Sequence, residues 1–203
     1  MRRLLPTALV AVALALGACD SADVPQPPGA AKVDVDTPAL RAIKEQAGIE
    51  PCRRTSAGPT DDGMPEVTLP CLGGGGDVDV AGLRGPMVVN LWASWCGPCR
   101  KELPIYQQFH DRYGDRVAVL GIDYNDVQPE AALELARDTG VTYPLLADPG
   151  SDLEGTSTFP TIRGVPWVVL IDADGVVVHR QAVEVTSLAQ LVDLVDEHLG
   201  TDL

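Results

Sequence analysis

The stretch from residue 87 to residue 104 places a strand, a sharp turn and a helix in succession around two cysteines. Residues 87–92 (Met-Val-Val-Asn-Leu-Trp) form a mostly apolar, β-favouring run that is typical of a buried strand. The chain then turns, and Pro98 favours the first turn of a helix. Cys96 is therefore predicted at a helix N-terminus, where free N–H groups and the macrodipole stabilise a thiolate. Cys99 follows on the first helical turn, close enough to form a disulfide with Cys96.

The residues around this cysteine pair resemble a known active site. The string Trp-Ala-Ser-Trp-Cys-Gly-Pro-Cys at 92–99 is similar to the active site of the thioredoxin superfamily. With Asn90, Glu102 and the long preceding segment, roughly the last two-thirds of the chain resembles the exported, membrane-tethered TlpA/ResA/DsbE-like thiol-disulfide oxidoreductases. The resemblance implies an α/β, thioredoxin-like fold with a mixed central sheet and helices on both faces. It also implies an N-terminal hairpin extension and a strand–helix insertion.

A chain of 203 residues fits one domain with extra segments. Strands alternate with helices and a terminal hairpin precedes the last helix, which favours a sheet covered on both faces. Helices are predicted after Thr37, an N-cap followed by proline, and after Ser187, where Gln190 completes a capping box. We divide the chain into a lipoprotein signal peptide (1–18), a flexible tether (19–36), an N-terminal helix with a disulfide-bounded loop (37–64), and a thioredoxin-like domain (65–203).

The N-terminus has the pattern of a bacterial lipoprotein leader. Arg2 and Arg3 supply positive charge, and the apolar run 4–16 is too short for a comfortable transmembrane helix. Leu-Gly-Ala-Cys at 16–19 resembles a lipobox, which implies cleavage before Cys19 and lipid modification of that cysteine. We therefore expect an extracytoplasmic protein anchored to the cell membrane; the alternative is an ordinary signal peptide and a secreted protein.

The chain is strongly acidic, with a formal net charge of −14 and a sequence pI of about 4.4. It contains no basic patch, so nucleic acid is not expected as a partner. The same charge gives no attraction to an anionic bilayer, and the lipid would have to hold the protein there.

Cys52 and Cys71 flank a polar, turn-rich loop and are interpreted as a structural disulfide. Closing a loop of that length contributes about 3 kcal/mol in the chain-entropy model. A structural disulfide implies an oxidising compartment, in agreement with the leader. Two alternatives remain: a second redox pair that relays electrons to the first, and a zinc site made of four cysteines. The first lacks a strand–turn–helix context and the second lacks close-paired ligand spacing.

Glu102 follows Cys99 by three residues and is expected near the same helical face. The resemblance matches it to the active-site glutamate of ResA-like proteins. A carboxylate at this place would raise the pKa of the cysteines and could exchange protons with them. The alternative is a surface glutamate in the first helical turn, where the helix macrodipole favours an acidic side chain. Asn90 stands where cytoplasmic thioredoxins commonly carry a buried Asp, so Glu102 would take over that role.

Pro166 opens a predicted strand at 167–171, a position where proline is tolerated as an ordinary edge feature. In thioredoxin-like proteins the corresponding proline is cis and faces the Cys-X-X-Cys pair. The resemblance assigns this role to Pro166, beside which exposed backbone can pair with a substrate strand. Many relatives have Thr after this proline, and Trp167 departs from that pattern.

These features predict a protein-disulfide reductase that uses dithiol–disulfide exchange, in which Cys96 attacks and Cys99 resolves the mixed disulfide. The two sulfurs carry the electrons, so neither a cofactor nor a metal is expected. The resemblance implies exported proteins with disulfides or dithiols as substrates, apocytochrome c among them. It also implies a membrane thiol-redox partner that re-reduces the pair. We expect a monomer.

Three other functions are open at this point. One is an oxidase of the same fold that forms disulfides in secreted proteins. Another is a peroxidase, which needs a Thr-X-X-Cys pattern that does not lead into Cys96. The last is a non-catalytic, metal- or client-binding lipoprotein. Copper carriers of this fold tend to use Cys-X-X-X-Cys, and the present pair is one residue shorter.

Overall fold

The computed structural model describes residues 33–203. It contains four α-helices and seven strands in this part of the chain, in the order α1 (Pro38–Ala47), β1 (Thr68–Pro70), β2 (Asp77–Asp79), β3 (Met87–Trp92), α2 (Gly97–Tyr113), β4 (Ala118–Tyr124), α3 (Pro129–Asp138), β5 (Leu145–Asp148), β6 (Trp167–Ile171), β7 (Val177–Gln181) and α4 (Leu188–Leu199). A short 3₁₀ helix, Val80–Gly82, follows β2. Within residues 33–203, no helix combines the length and the apolar character needed to cross a membrane.

Five strands form the central sheet, in the order β5-β4-β3-β6-β7. The β3–β4 and β4–β5 pairs are parallel, and the β3–β6 and β6–β7 pairs are antiparallel. This confirms the mixed thioredoxin-like sheet. The sheet places β3 at its centre, so the residues that follow β3 emerge in the middle of one sheet edge.

Both faces of the sheet are covered, by different kinds of structure. Alternate residues of β3 point to opposite faces: Val88 and Trp92 belong to one apolar cluster, and Val89 and Leu91 belong to the other. The first cluster includes residues from all four α-helices. The second is covered by the β1–β2 hairpin, the 3₁₀ helix and the loop after β5. The resemblance implied helices on both faces, whereas in residues 33–203 the α-helices pack on one face, because the hairpin and the loop after β5 occupy the other. The two crossovers β3–α2–β4 and β4–α3–β5 run in the same direction along the sheet, and right-handed crossovers then place both helices on one face.

The segment before the sheet is built from the elements that the sequence predicts, with one shift. Thr37 caps α1, its side chain accepting a hydrogen bond from the Leu40 N–H at 3.3 Å. The hairpin pairs β1 with β2 in antiparallel fashion, which confirms the N-terminal hairpin. The β-favouring residues 66–69 predict a strand, whereas β1 begins at Thr68. The reason is local, because the Val67 N–H bonds to the Pro65 carbonyl at 2.8 Å in a tight turn.

Candidate active site

The two cysteines of the Cys-X-X-Cys string form a disulfide at the start of α2, with their Cα atoms 5.3 Å apart. Cys96 is the N-cap of the helix, and its Sγ accepts a hydrogen bond from the Cys99 N–H at 3.2 Å. Cys96 is 3% exposed and Cys99 is fully buried. An incoming sulfur therefore has access to Cys96 before Cys99. The N–H that reaches Cys96 Sγ in the disulfide is placed to stabilise the thiolate of the reduced form.

The turn before Cys96 is fixed by hydrogen bonds from two other segments. The buried carboxylate of Asp126 accepts the Ser94 N–H at 2.7 Å, and the Arg100 guanidinium donates to the Ser94 carbonyl at 2.7 and 3.1 Å. The Trp95 indole N–H donates to the Asn125 carbonyl at 3.1 Å. The contacts with Asn125 and Asp126 attach the turn before Cys96 to the loop that follows β4. This role of Asp126 could not be inferred from the sequence, because the partners are 32 residues apart.

Beneath this loop lies a carboxyl group that is buried without a full set of partners. Asp123 is a residue of β4 and is 1% exposed, and its Oδ1 has no protein hydrogen-bond partner. Burial raises the pKa of Asp123 well above its ordinary value, and the neighbouring charges of Asp126 and Asp148 raise it further. Burial and these neighbouring charges therefore favour the neutral form of the Asp123 carboxyl group over the charged form.

Glu102 is fully buried in the first turns of α2 and does not lie on the surface. Its Oε2 accepts a hydrogen bond from the Val185 N–H at 3.0 Å, while its Oε1 has no protein partner. Burial is the main cause that raises the pKa of Glu102, from 4.5 to about 8. The hydrogen bond from Val185 opposes the rise, and the nearby charge of Glu184 adds to it.

A group of buried polar side chains surrounds Glu102. The Asn90 amide lies beside Glu102 and Tyr143, where it opposes part of the rise in the pKa of both. Burial raises the pKa of Tyr106 well above its ordinary value, and the charge of Glu102 raises it further. Trp92 directs its indole N–H into the same region, which Gly121 leaves open: a Cβ there would lie 3.0 Å from that nitrogen. Of this group, Asn90, Glu102 and Trp92 were singled out from the sequence, and Tyr106 and Tyr143 were not.

Pro166 precedes β6, and its peptide bond with Val165 is cis. The Val165 carbonyl oxygen lies 3.5 Å from Cys96 Sγ, which brings the two segments together at the redox pair. Trp167 is half-buried, and its indole N–H donates to the Gly164 carbonyl at 2.8 Å. Trp95, by contrast, is 51% exposed and forms an apolar surface next to Cys96.

Cys52 and Cys71 are bonded to each other, with a Cα–Cα distance of 5.9 Å. Cys71 follows β1 directly and is buried, and Thr68 does stand three residues before it in a Thr-X-X-Cys spacing. No helix begins at Cys71, so Cys71 lacks the position at a helix N-terminus that Cys96 has. Cys19, the predicted lipidation site, lies outside the described residues.

A mixed sheet with a Cys-X-X-Cys pair at the N-terminus of the helix after its central strand defines the thioredoxin-like class. Residues 60–180 match the model of the AhpC/TSA family, and the chain belongs to that family.

Curated relatives carry names from thiol–disulfide chemistry. The thiol:disulfide interchange protein DsbE of Vibrio cholerae is 30% identical over 153 residues, which are 73% of this chain and 78% of that protein. The thioredoxin-like protein YneN of Bacillus subtilis is 27% identical over 53% of this chain, and the thiol-disulfide oxidoreductase ResA of Bacillus cereus is 28% identical over 52%. The matches span 64% of YneN and 60% of ResA, so about three-fifths of each relative is covered.

Solved structures agree on the fold. The crystal structure of a DsbF homologue from Corynebacterium diphtheriae superposes with a TM-score of 0.56 at 28% sequence identity. The superposition covers 66% of this chain and 85% of that one.

Proposed function

We propose that this chain is an extracytoplasmic thiol-disulfide oxidoreductase that reduces disulfides in exported proteins through Cys96 and Cys99. The observation that carries the proposal is the position of Cys96 Sγ at the N-cap of α2, within 3.2 Å of the Cys99 N–H. The names of the DsbE and ResA relatives support the same reaction class. The Gly97-Pro98 dipeptide between the cysteines adds no side-chain charge of its own.

The exchange runs in two steps from the reduced pair. The Cys96 thiolate attacks one sulfur of the substrate disulfide, which breaks, and the other substrate sulfur leaves with the electron pair. The Cys99 thiol then loses its proton and attacks Cys96 Sγ. The mixed disulfide breaks, the substrate leaves as a dithiol, and the Cys96–Cys99 disulfide forms. Two electrons and two protons have passed to the substrate.

Glu102 has the properties of a proton acceptor for the second step. Cys99 is fully buried, so its proton must leave through an internal group. A carboxyl group with a pKa of about 8 exchanges protons in the pH range in which thiols do. When ionised, it also opposes a nearby thiolate, which withholds stabilisation from the reduced pair and favours the reductase direction.

Pro166 is assigned to substrate binding. The Val165 carbonyl lies beside Cys96 Sγ, where it can accept a hydrogen bond from the backbone of an extended substrate segment. The exposed indole of Trp95 offers apolar contact at the same place. Trp167 makes its own hydrogen bond to Gly164 and takes the position where many relatives have Thr.

We further propose that the protein acts outside the cytoplasm as a membrane-anchored monomer, with the lipid on Cys19. The leader pattern and the Cys52–Cys71 disulfide both support an oxidising compartment. A membrane thiol-redox protein would supply the electrons, and apocytochrome c is one of the proposed substrates. Replacement of Cys19 with Ala should release the protein from the membrane fraction, whereas continued membrane retention would contradict the anchor.

The test compares Cys96→Ser with Cys99→Ser in the reduction of a disulfide-bonded peptide by dithiothreitol. The first variant should lose catalysis. The second, reduced beforehand and freed of dithiothreitol before the peptide is added, should accumulate a mixed disulfide between Cys96 and the peptide that mass spectrometry detects. Each variant is the control for the other, because each loses one sulfur from the same helical turn. Activity that persists in Cys96→Ser would refute the mechanism.

The direction of electron flow is tested by the equilibrium potential of the pair, read from tryptophan fluorescence in thiol buffers. A value near that of thioredoxin, about −270 mV, is expected for a reductant. A value near about −120 mV would identify an oxidase and overturn the reductase assignment.

A further inference from the structure

The lysine at position 44 is buried beside a disulfide, and the carboxylate that acts on it, Asp36, forms its ion pair with Arg41 instead. Burial lowers the pKa of Lys44, and the charge of Asp36 opposes this effect. Lys44 is 8% exposed, and its Nζ lies 2.9 Å from Cys71 Sγ and 2.7 Å from the Gly74 carbonyl oxygen. Among residues 33–203, the ion pairs do not include Lys44. A buried ammonium normally requires a paired charge or several strong acceptors, and a disulfide sulfur is a weak acceptor.

Reduction of the disulfide would change the interaction between these two groups. A disulfide sulfur is neutral, whereas a thiolate is an anion that forms a strong, charge-assisted hydrogen bond with an ammonium. The contact therefore favours the reduced state with Cys71 as a thiolate. A thiol with a lowered pKa is also the better leaving group in thiol–disulfide exchange. Lys44 thus makes Cys71 the sulfur that departs when the bond is attacked.

The other sulfur of the bond is the accessible one. Cys71 is 1% exposed, whereas Cys52 is half-buried and lines a cavity of about 430 Å³. An attacking thiol that enters this cavity meets Cys52 first. The leaving-group preference and the access point therefore select the same direction of cleavage.

The cavity carries positive charge in an otherwise acidic chain. Arg53 and Arg54 both line it and are exposed to solvent. Arg84 lines the cavity as well, and Glu50 is the acidic residue of its lining, so arginines outnumber carboxylates there although the chain as a whole has a net charge of −14. A small thiol that bears carboxylates fits both the charge and the volume.

We propose that Cys52–Cys71 is a second exchange site, at which a small anionic thiol attacks Cys52 and expels Cys71 as a thiolate paired with Lys44. The thiol sulfur bonds to Cys52 Sγ, the Cys52–Cys71 bond breaks, and its electron pair leaves on Cys71. A second thiol then attacks the small-molecule sulfur of the mixed disulfide and frees Cys52. In total, two thiols become one disulfide and the pair gains two electrons.

The experiment uses the full chain equilibrated in buffers of reduced and oxidised glutathione, followed by trapping of free thiols and tryptic mass spectrometry. Trypsin separates Cys52 (residues 45–53), Cys71 (55–84) and the redox pair (85–100) into different peptides, so failure here is distinguishable from failure of the proposed function. Glutathione is expected on Cys52 and not on Cys71. Glutathione on Cys71 alone, or neither cysteine modified at any buffer ratio, would overturn the proposal.

The matched variants are Lys44→Met and Arg137→Met, which remove a buried cation from α1 and an exposed cation from α3. Lys44→Met should lower the equilibrium constant for reduction of Cys52–Cys71 at least about tenfold, or ~30 mV, and Arg137→Met should leave it unchanged. Equal values in the two variants would overturn the role of Lys44.

A measurement on the unmodified chain keeps the proposal testable if Lys44→Met does not fold. The rate at which Cys52 forms a mixed disulfide is compared for the anionic thiol glutathione and the cationic thiol cysteamine, across ionic strength. The advantage of glutathione should shrink as salt screens the arginines. A ratio that does not depend on salt would contradict recognition of an anionic thiol.

Discussion

Replacement of Glu102 with Gln tests whether burial raises the pKa of the Glu102 carboxyl group in the folded protein. Gln has nearly the same shape, and its side-chain carbonyl can still accept the hydrogen bond from the Val185 N–H. The substitution removes the ionisable proton and retains most of the packing. Any difference from the wild type that depends on pH therefore reports on the charge of this one group.

The sign of the effect follows from the raised pKa. In the unfolded chain Glu102 ionises near its ordinary value of 4.5, whereas in the folded chain it ionises at about 8. Between these values the folded protein holds a proton that the unfolded chain has lost, so the free energy of unfolding falls as pH rises. The stabilisation is complete below about pH 4.5 and is lost by about pH 8, at ~1.4 kcal/mol per pH unit and ~5 kcal/mol in total as an upper estimate.

The assay is urea unfolding of the oxidised protein from about pH 5 to about pH 8, for the wild type, Glu102→Gln and Glu134→Gln. Glu134 is an exposed residue of α3, and its variant controls for loss of a surface charge. The stability of Glu102→Gln relative to the wild type should increase steadily with pH, and that of Glu134→Gln should not. A difference between Glu102→Gln and the wild type that stays constant over this range would refute the reasoning.

Two further predictions concern the frame around the redox pair. Replacement of Asp126 with Ala leaves the Ser94 N–H without its acceptor and should lower the free energy of unfolding, measured by urea titration, by about 1–3 kcal/mol. Replacement with Asn, which retains an acceptor oxygen, should lower it less. Equal losses in the two variants would contradict the hydrogen-bond explanation. Replacement of Gly121 with Ala places a Cβ 2.5 Å from Leu145 Cδ2 and should cost about 1–3 kcal/mol, whereas Gly164→Ala meets no atom within 4 Å and serves as its control in thermal unfolding. An unchanged melting temperature in Gly121→Ala would show that the packing there is loose.

The sequence was sufficient to predict what depends on neighbouring residues. The Cys96 N-cap, the proline that follows and the apolar strand before them determine one another locally, and the structure has this arrangement. Helix α1 was equally predictable, because Thr37 is typical of the residue that caps a helix N-terminus and Gly48 of the residue that ends a helix. The bounds of β1 were wrong by two residues at its start, since a turn at Pro65 takes the Val67 N–H out of the sheet.

Contacts between distant segments could not be predicted in this way. Glu102 was expected near the cysteines, yet its hydrogen bond to Val185 joins residues 83 positions apart. Tyr143 reaches the same polar group from the loop before β5, which only the sheet order brings close. Lys44 did carry a signal, because it follows Leu40 by one helical turn. These two are the buried residues of α1, whereas a charged residue suggested the outer face.

The hydrogen bond from Val185 to Glu102 gives the molecule an internal reporter. The Val185 amide proton lies on a carboxylate oxygen at 3.0 Å, so its NMR chemical shift depends on whether that carboxyl group is charged. The amide belongs to the segment just before α4 and takes no part in the Cys96–Cys99 disulfide, so its resonance can be followed in the oxidised and the reduced protein alike. A single resonance near the C-terminal helix would then record how the ionisation of Glu102 changes when the disulfide at the start of α2 opens.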